Sequence, residues 1–142
     1  MTLFTLRNEK KVANIPLLTY IGVTIFCAIF GIIYELNAHN VFSNYMMFGF
    51  LWPLCGGVLF YVIFKFILKD YLPSQAASYA YNCGIATLTV GCYFHGVIEI
   101  YGTTREKYVL LYNIVGIILI AAALIFYGIG VYLKIKEKKQ EN

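Results

Sequence analysis

Charge is what this chain has least of. Lysine, arginine, aspartate and glutamate make up 13% of its 142 residues, against about 25% in soluble domains. Four long stretches, residues 12–34, 45–64, 76–98 and 108–133, contain none of the four. A soluble helix of such length would keep a polar face, so a soluble helical domain is excluded. Each stretch is long enough for a helix rising ~1.5 Å per residue to cross a ~30 Å hydrocarbon layer.

Other absences narrow the chemistry. Cys27, Cys55, Cys83 and Cys92 form no CxxC pair and all lie inside the apolar stretches. Disulfide exchange needs loop-exposed thiols, so these four read as small packing residues with weak donors. The chain carries no serine nucleophile box, phosphate-binding glycine loop, HExxH or acidic metal pair, and the expectation is a protein that is not an enzyme and needs no cofactor. Nucleic acid is excluded as a partner because the basic residues flank the apolar stretches and build no basic face. Met1-Thr2 lacks the glycine of a myristoylation signal and Asn142 closes no prenylation box. Arg7, Lys10 and Lys11 precede the first stretch as in a signal peptide. That stretch exceeds an h-region of about 7–15 residues and no small-x-small site follows, so it reads as a retained anchor.

What is present is hydrophobic: 61% of the residues. The expected fold is all-α, a polytopic membrane four-helix bundle in a single transmembrane domain, with spans at about 15–36, 44–67, 76–100 and 107–133. Nine of the eleven lysines and arginines fall on one side of such a bundle: Arg7, Lys10, Lys11, Lys65, Lys69, Lys134, Lys136, Lys138 and Lys139. Only Arg105 and Lys107 lie on the other. The positive-inside bias then puts both termini in the cytoplasm and the loops 35–44 and 102–107 outside. The lipid bilayer is the first partner, and the basic tail 134–139 is either a solvated stop signal or a contact with anionic lipid.

Helix punctuation fits these spans. Asn14 and Pro16 suggest a start for the first, Pro73-Ser74 a restart before the third, and Thr103 with Glu106 has capping-box spacing before the fourth. Thirteen tyrosines are unusual; Tyr34, Tyr45, Tyr71, Tyr101 and Tyr108 stand at expected interfaces as an aromatic belt. Trp52-Pro53 with Gly56-Gly57 should interrupt the second span and strand the carbonyl of Gly49. Such a break either improves packing or exposes carbonyls to a cation.

Two patterns bear on packing. Thr24-Ile25-x-Cys27 with Gly31-Ile32-Ile33 matches Thr89-Val90-x-Cys92 with Gly96-Val97-Ile98 at an offset of 65, and Phe60-Tyr61-x-Ile63 matches Phe126-Tyr127-x-Ile129 one residue further out of step. The two halves therefore resemble parallel-repeat helical hairpins. Ala80, Gly84, Thr87 and Gly91 form one small-residue stripe, and Asn113, Gly116, Ala123 and Gly130 another. These mark either the tightest helix pair of the fold or a dimer face.

Polar groups within or beside the spans are few. Glu35 and His39 close the first span, and His95 and Glu99 the third, each pair four residues apart and so on one helical face. Intramembrane ionisable groups usually face an interior or a cavity. His95, Glu99, Glu35 and His39, with Asn113 and also Tyr112 and Asn44 at similar depth, are the candidate ligand-binding residues at the outer mouth. Against this stand a purely structural role in hydration and interhelical hydrogen bonding, a haem held by His39 and His95, and a zinc ion held by two His and two Glu.

The segment Tyr81-Asn82-Cys83-Gly84-Ile85-Ala86-Thr87-Leu88-Thr89-Val90-Gly91, with Ile100-Tyr101-Gly102-Thr103-Thr104, resembles parts of small uncharacterised four-helix membrane proteins of Gram-positive bacteria. The resemblance covers mainly the third and fourth spans. It implies a bacterial cytoplasmic (inner) membrane and no particular activity. Small multidrug exporters differ, since their membrane glutamate lies within the first span and Glu35 lies at its end. The expected function is a non-enzymatic multi-pass membrane protein that binds a small ligand or a membrane protein partner near the outer mouth, as an accessory subunit would. The alternatives are a small transporter or channel, which requires a homo-oligomer, and a haem or quinone redox protein.

Overall fold

The computed structural model describes residues 3–38, 41–67, 75–102 and 106–140. All regular structure among the described residues is helical: α1 (Leu3–Leu36), α2 (Asn44–Phe48), a π-helical stretch (Trp52–Leu59), α3 (Phe60–Ile67), α4 (Gln75–Ile100) and α5 (Glu106–Gln140). Four segments are long and apolar enough to cross a membrane: Pro16–Leu36, Asn44–Ile63, Gln75–Ile100 and Lys107–Leu133. Their outward faces are large and apolar, with Phe26 68% exposed on α1 and Ile125 62% on α5. In water such surfaces would aggregate.

α1 begins well before the start that Asn14 and Pro16 suggest, and Pro16 lies inside it. Proline there removes one backbone donor and costs the helix a single hydrogen bond. Thirty-four residues of helix otherwise close their own ladder on both sides of it.

The second apolar segment is interrupted where expected, and over a longer stretch. Pro53 has no N–H for the carbonyl of Gly49, which instead accepts the N–H of Trp52 at 3.4 Å. The backbone then runs as a π-helix for eight residues through Gly56-Gly57. Gly57 is required by packing: a Cβ there would run into the ring of Tyr20 from α1. The carbonyl of Gly56 accepts the Tyr81 hydroxyl of α4 at 2.7 Å, so the broken segment is tied sideways to its neighbour.

Helix contacts follow the small residues. α4 and α5 form the most extensive pair, while α1 packs along α2, the π stretch and α3, and α4 also touches α2 and the π stretch. A Cβ on Gly84 would meet the backbone O of Gly116 and the backbone N of Ile120 at 3.1 Å. One on Gly91 would meet Tyr112 Cβ at 2.7 Å. Between membrane helices, close backbone approach supplies the dispersion energy that lipid exclusion cannot. The two stripes thus meet within one chain, with Ala123 buried against Tyr81 and Ile85. A Cβ on Gly130, at the end of the α5 stripe, would meet no other element within 4 Å among the described residues.

The glycines paired by the internal repeat share a neighbour. A Cβ on Gly31 of α1 would lie 2.7 Å from the carbonyl O of Met46, and one on Gly96 of α4 would lie 2.8 Å from its N. Met46 is fully buried between them, which fixes α2 in place. Tyrosines fasten the rest. Tyr20 and Tyr61 both donate to Asn82 Oδ1 at 2.9 Å, and Tyr93 donates to the Cys27 carbonyl at 2.7 Å. A hydroxyl in apolar surroundings costs free energy unless it is paired, and each of these pairs also joins two helices.

Candidate functional site

The polar groups gather at the end of the molecule where α1 hands over to α2 and α4 to α5. α1 stops because the chain turns after Leu36: Asn37 N–H bonds the Tyr34 carbonyl and Ala38 N–H the Glu35 carbonyl, both at 3.1 Å. α4 stops at Gly102, whose φ of +66° is a left-handed conformation that glycine adopts without steric cost. Its N–H bonds the Glu99 carbonyl at 3.1 Å. Glu35 and Glu99 therefore stand in the last turns of two different helices.

Ser43 brings them together. It is extended (φ −117°, ψ 115°) and caps α2, its Oγ accepting the Met46 N–H at 3.3 Å. Its own N–H donates to Glu35 Oε1 at 2.8 Å, and its hydroxyl donates to Glu99 Oε2 at 2.6 Å. Ser43 is 0% exposed. One buried residue thus receives a carboxylate from α1 and another from α4, and both of its donors are used. Glu99 is otherwise exposed, and Glu35 is half-buried. The second oxygen of Glu35, Oε2, is buried and has no hydrogen-bond partner among the described residues.

The remaining candidates divide. His95 does not pair with Glu99 among the described residues; its ring stacks on Tyr45 of α2, with centroids 3.8 Å apart and planes 17° apart. Tyr45 belongs to the short helix that Ser43 caps, so the stack packs His95, one turn before Glu99 on α4, against α2. Cys92, one turn below His95 on α4, donates to the Tyr45 carbonyl at 3.4 Å. Asn113 stands apart. Its Oδ1 lies 3.7 Å from the Cβ position of Gly91, two turns or roughly 12 Å down α4 from Glu99, where Tyr112 also packs. Asn44 is exposed on the first turn of α2. His39, Thr103 and Tyr71 lie outside the described residues, so neither the His39–His95 axial pair nor the capping box is placed.

Ser43 was not among the residues singled out by sequence. The one available signal was a serine three residues before Met46, at capping distance ahead of an apolar run. Its second role depends on the approach of two distant helices. No group of three or more His, Cys, Asp or Glu side chains that could hold a metal ion occurs among the described residues. What the arrangement offers is a pair of carboxylates held by directed hydrogen bonds, with one buried oxygen left over. No family model, curated protein or solved structure matches this chain.

Proposed function

We propose that this chain is a non-enzymatic, multi-pass integral membrane protein that binds a positively charged group at the Glu35–Ser43–Glu99 cluster, either a small cationic ligand or a basic side chain of a membrane partner. The observation that carries the reading is the buried oxygen Glu35 Oε2, without a hydrogen-bond partner among the described residues, beside a second carboxylate on the same serine. Two like charges held on one buried residue repel, and an added positive charge relieves the repulsion and completes the oxygen's hydrogen bonding. His95, one turn before Glu99 on α4 and stacked on Tyr45, borders the site. Binding is favoured over transport because the carbonyls at the break in the second segment are occupied, Gly49 by Trp52 and Gly56 by Tyr81.

Thermal unfolding of the detergent-solubilised protein tests the reading, with sodium, potassium, magnesium, calcium and spermidine compared at constant ionic strength. One of these raises Tm in the wild type, and Glu35→Gln and Glu99→Gln each abolish that rise. A panel without effect, or a rise that survives in both variants, overturns the assignment.

The same proposal sets four spans in a bacterial cytoplasmic membrane with both termini inside, the nine-to-two division of basic residues being its support. Reporter fusions after residues 40, 71, 104 and 142 should then alternate outside, inside, outside, inside. A cytoplasmic signal from the fusion after residue 40 would sink this topology.

A further inference from the structure

A π-helix closes each hydrogen-bonded ring over one residue more than an α-helix does. If the first such ring of the stretch Trp52–Leu59, at residues 52–54, relaxes to α, every later residue moves one place along the helix. Each then stands where its successor stood, after a rotation of about 100° and an advance of about 1.5 Å. The ring of Pro53 crowds the carbonyl of Gly49 and favours the open turn, whereas the α ladder favours the closed one. The side chains around the stretch decide between the two registers.

Two of the contacts that hold it do not discriminate. Gly57 lies under the ring of Tyr20, where a Cβ has no room, and the residue that arrives there after the shift is Gly56. The glycine pair therefore serves Tyr20 in either register. Cys55 follows into the place of Gly56, where the atoms nearest an added Cβ belong to the Ile85 side chain, Cδ1 at 2.5 Å, a flexible end that can turn away. Tyr81 donates to the carbonyl of Gly56, and the carbonyl of Cys55 takes its place. Tyr61 does discriminate, because its hydroxyl bonds Asn82 Oδ1 at 2.9 Å. After the shift Phe60, which has no hydroxyl, stands beside Asn82, and Leu59 replaces Phe60 on the ring of Tyr81, where the two aromatics stack at 4.0 Å. The outer half of the segment is held separately, with Met46 wedged between Gly31 and Gly96 and Ser43 tied to both glutamates. The rotation is thus confined to the part after the break. We propose that the second segment is a two-register switch. The Tyr61–Asn82 bond holds it in the π register, and release of that bond lets one turn close and α3 rotate until Phe60 meets Asn82. Any group that competes for the Asn82 oxygen biases the two registers.

The inference is independent of cation binding at the carboxylate cluster, which keeps its geometry in both registers. Its test uses the full chain in dodecyl maltoside, with the four cysteines replaced by alanine and spin labels at Phe66→Cys on α3 and Tyr132→Cys on α5, both exposed positions. Double electron–electron resonance reads the distance between the labels, and a turn of about 100° carries a side chain at the helix rim about 8 Å. The parent gives one distance. Tyr61→Phe, which makes the two registers equal at Asn82, adds a second. The exchange Phe60→Tyr/Tyr61→Phe aligns the hydroxyl with Asn82 only after the shift, so the second distance becomes the major one. Gly56→Ala added to that exchange restores the first, because a Cβ at residue 56 cannot lie under Tyr20. Tyr20→Phe also deprives Asn82 of a donor, but at a residue that does not move, and it leaves the first distance alone. An unchanged distance in the exchange variant, or a second distance in Tyr20→Phe, overturns the switch. So does a broad distribution that Gly56→Ala fails to narrow, the mark of a loosened helix.

Discussion

Gly91→Leu should weaken the fold by about 2–3 kcal/mol, while Ile118→Leu, further along the partner helix at a 59% exposed position, should stay within about 0.5 kcal/mol. At Gly91 the added Cβ would sit 2.7 Å from Tyr112 Cβ, an atom bonded directly to the backbone. Tyr112 cannot escape by changing rotamer, so α5 must move off α4. Moving it also breaks the contact two turns away, where Gly84 and Gly116 leave the backbones nearly touching. Ile118 exchanges one branched apolar side chain for another where lipid is expected. Unfolding midpoints in dodecyl maltoside titrated with sodium dodecyl sulfate, followed by far-UV circular dichroism, compare the two variants. Equal midpoints would reject the α4–α5 face.

That face was legible in the sequence because its cause is local. Spacings of four, three and four put Ala80, Gly84, Thr87 and Gly91 on one side of a helix whatever its surroundings, and small residues have few other uses there. The break after Trp52 was legible for the same reason: proline removes a donor in any context. Its conversion into eight residues of π-helix was not, because it also depends on Tyr20 filling the space beside Gly57 and Tyr81 taking the Gly56 carbonyl. Tyrosines were harder still. Tyr45, Tyr101 and Tyr108, expected at the interfaces, are exposed. Tyr20, Tyr61, Tyr81 and Tyr93 instead turn inward, where Asn82, Gly56 and Cys27 supply acceptors. Only the folded arrangement brings those acceptors within reach.

The candidate site was legible in part, for a related reason. A glutamate in the last turn of each of two apolar helices is visible in the sequence. The partner that the spacing of four suggests for Glu99 is His95, on its own helix. The structure gives Glu99 to Ser43 and His95 to Tyr45, both on the adjoining segment. A directed bond from a buried hydroxyl to a carboxylate is stronger than an exposed i, i+4 pair, which contributes only about 0.2–0.5 kcal/mol. Asn113 shared the depth of the cluster only along its own helix, and the Gly91 contact carries it away.

Ser43 is therefore where a single substitution should reveal the most about the site. Ser43→Ala removes the cap on Met46, worth about 1 kcal/mol, and the hydrogen bond to Glu99, worth about 1.5–3 kcal/mol for a charged acceptor. A loss of roughly 2.5–4 kcal/mol follows from the two together. Alanine keeps the backbone N–H, so the bond to Glu35 survives. This difference makes the geometry testable by two double-mutant cycles in the same unfolding assay. Ser43→Ala combined with Glu99→Ala should be less damaging than the sum of the single changes, with a coupling of about 1–2 kcal/mol. Ser43→Ala combined with Glu35→Gln should be additive to within about 0.5 kcal/mol, because the lost hydroxyl never touched Glu35. Coupling of equal size in both cycles would mean that the serine acts only by filling space. Coupling to Glu35 alone would reverse the assignment of the two carboxylates. Only coupling confined to Glu99 fits a hydroxyl that ties α4 to the start of α2 while the backbone beside it holds α1.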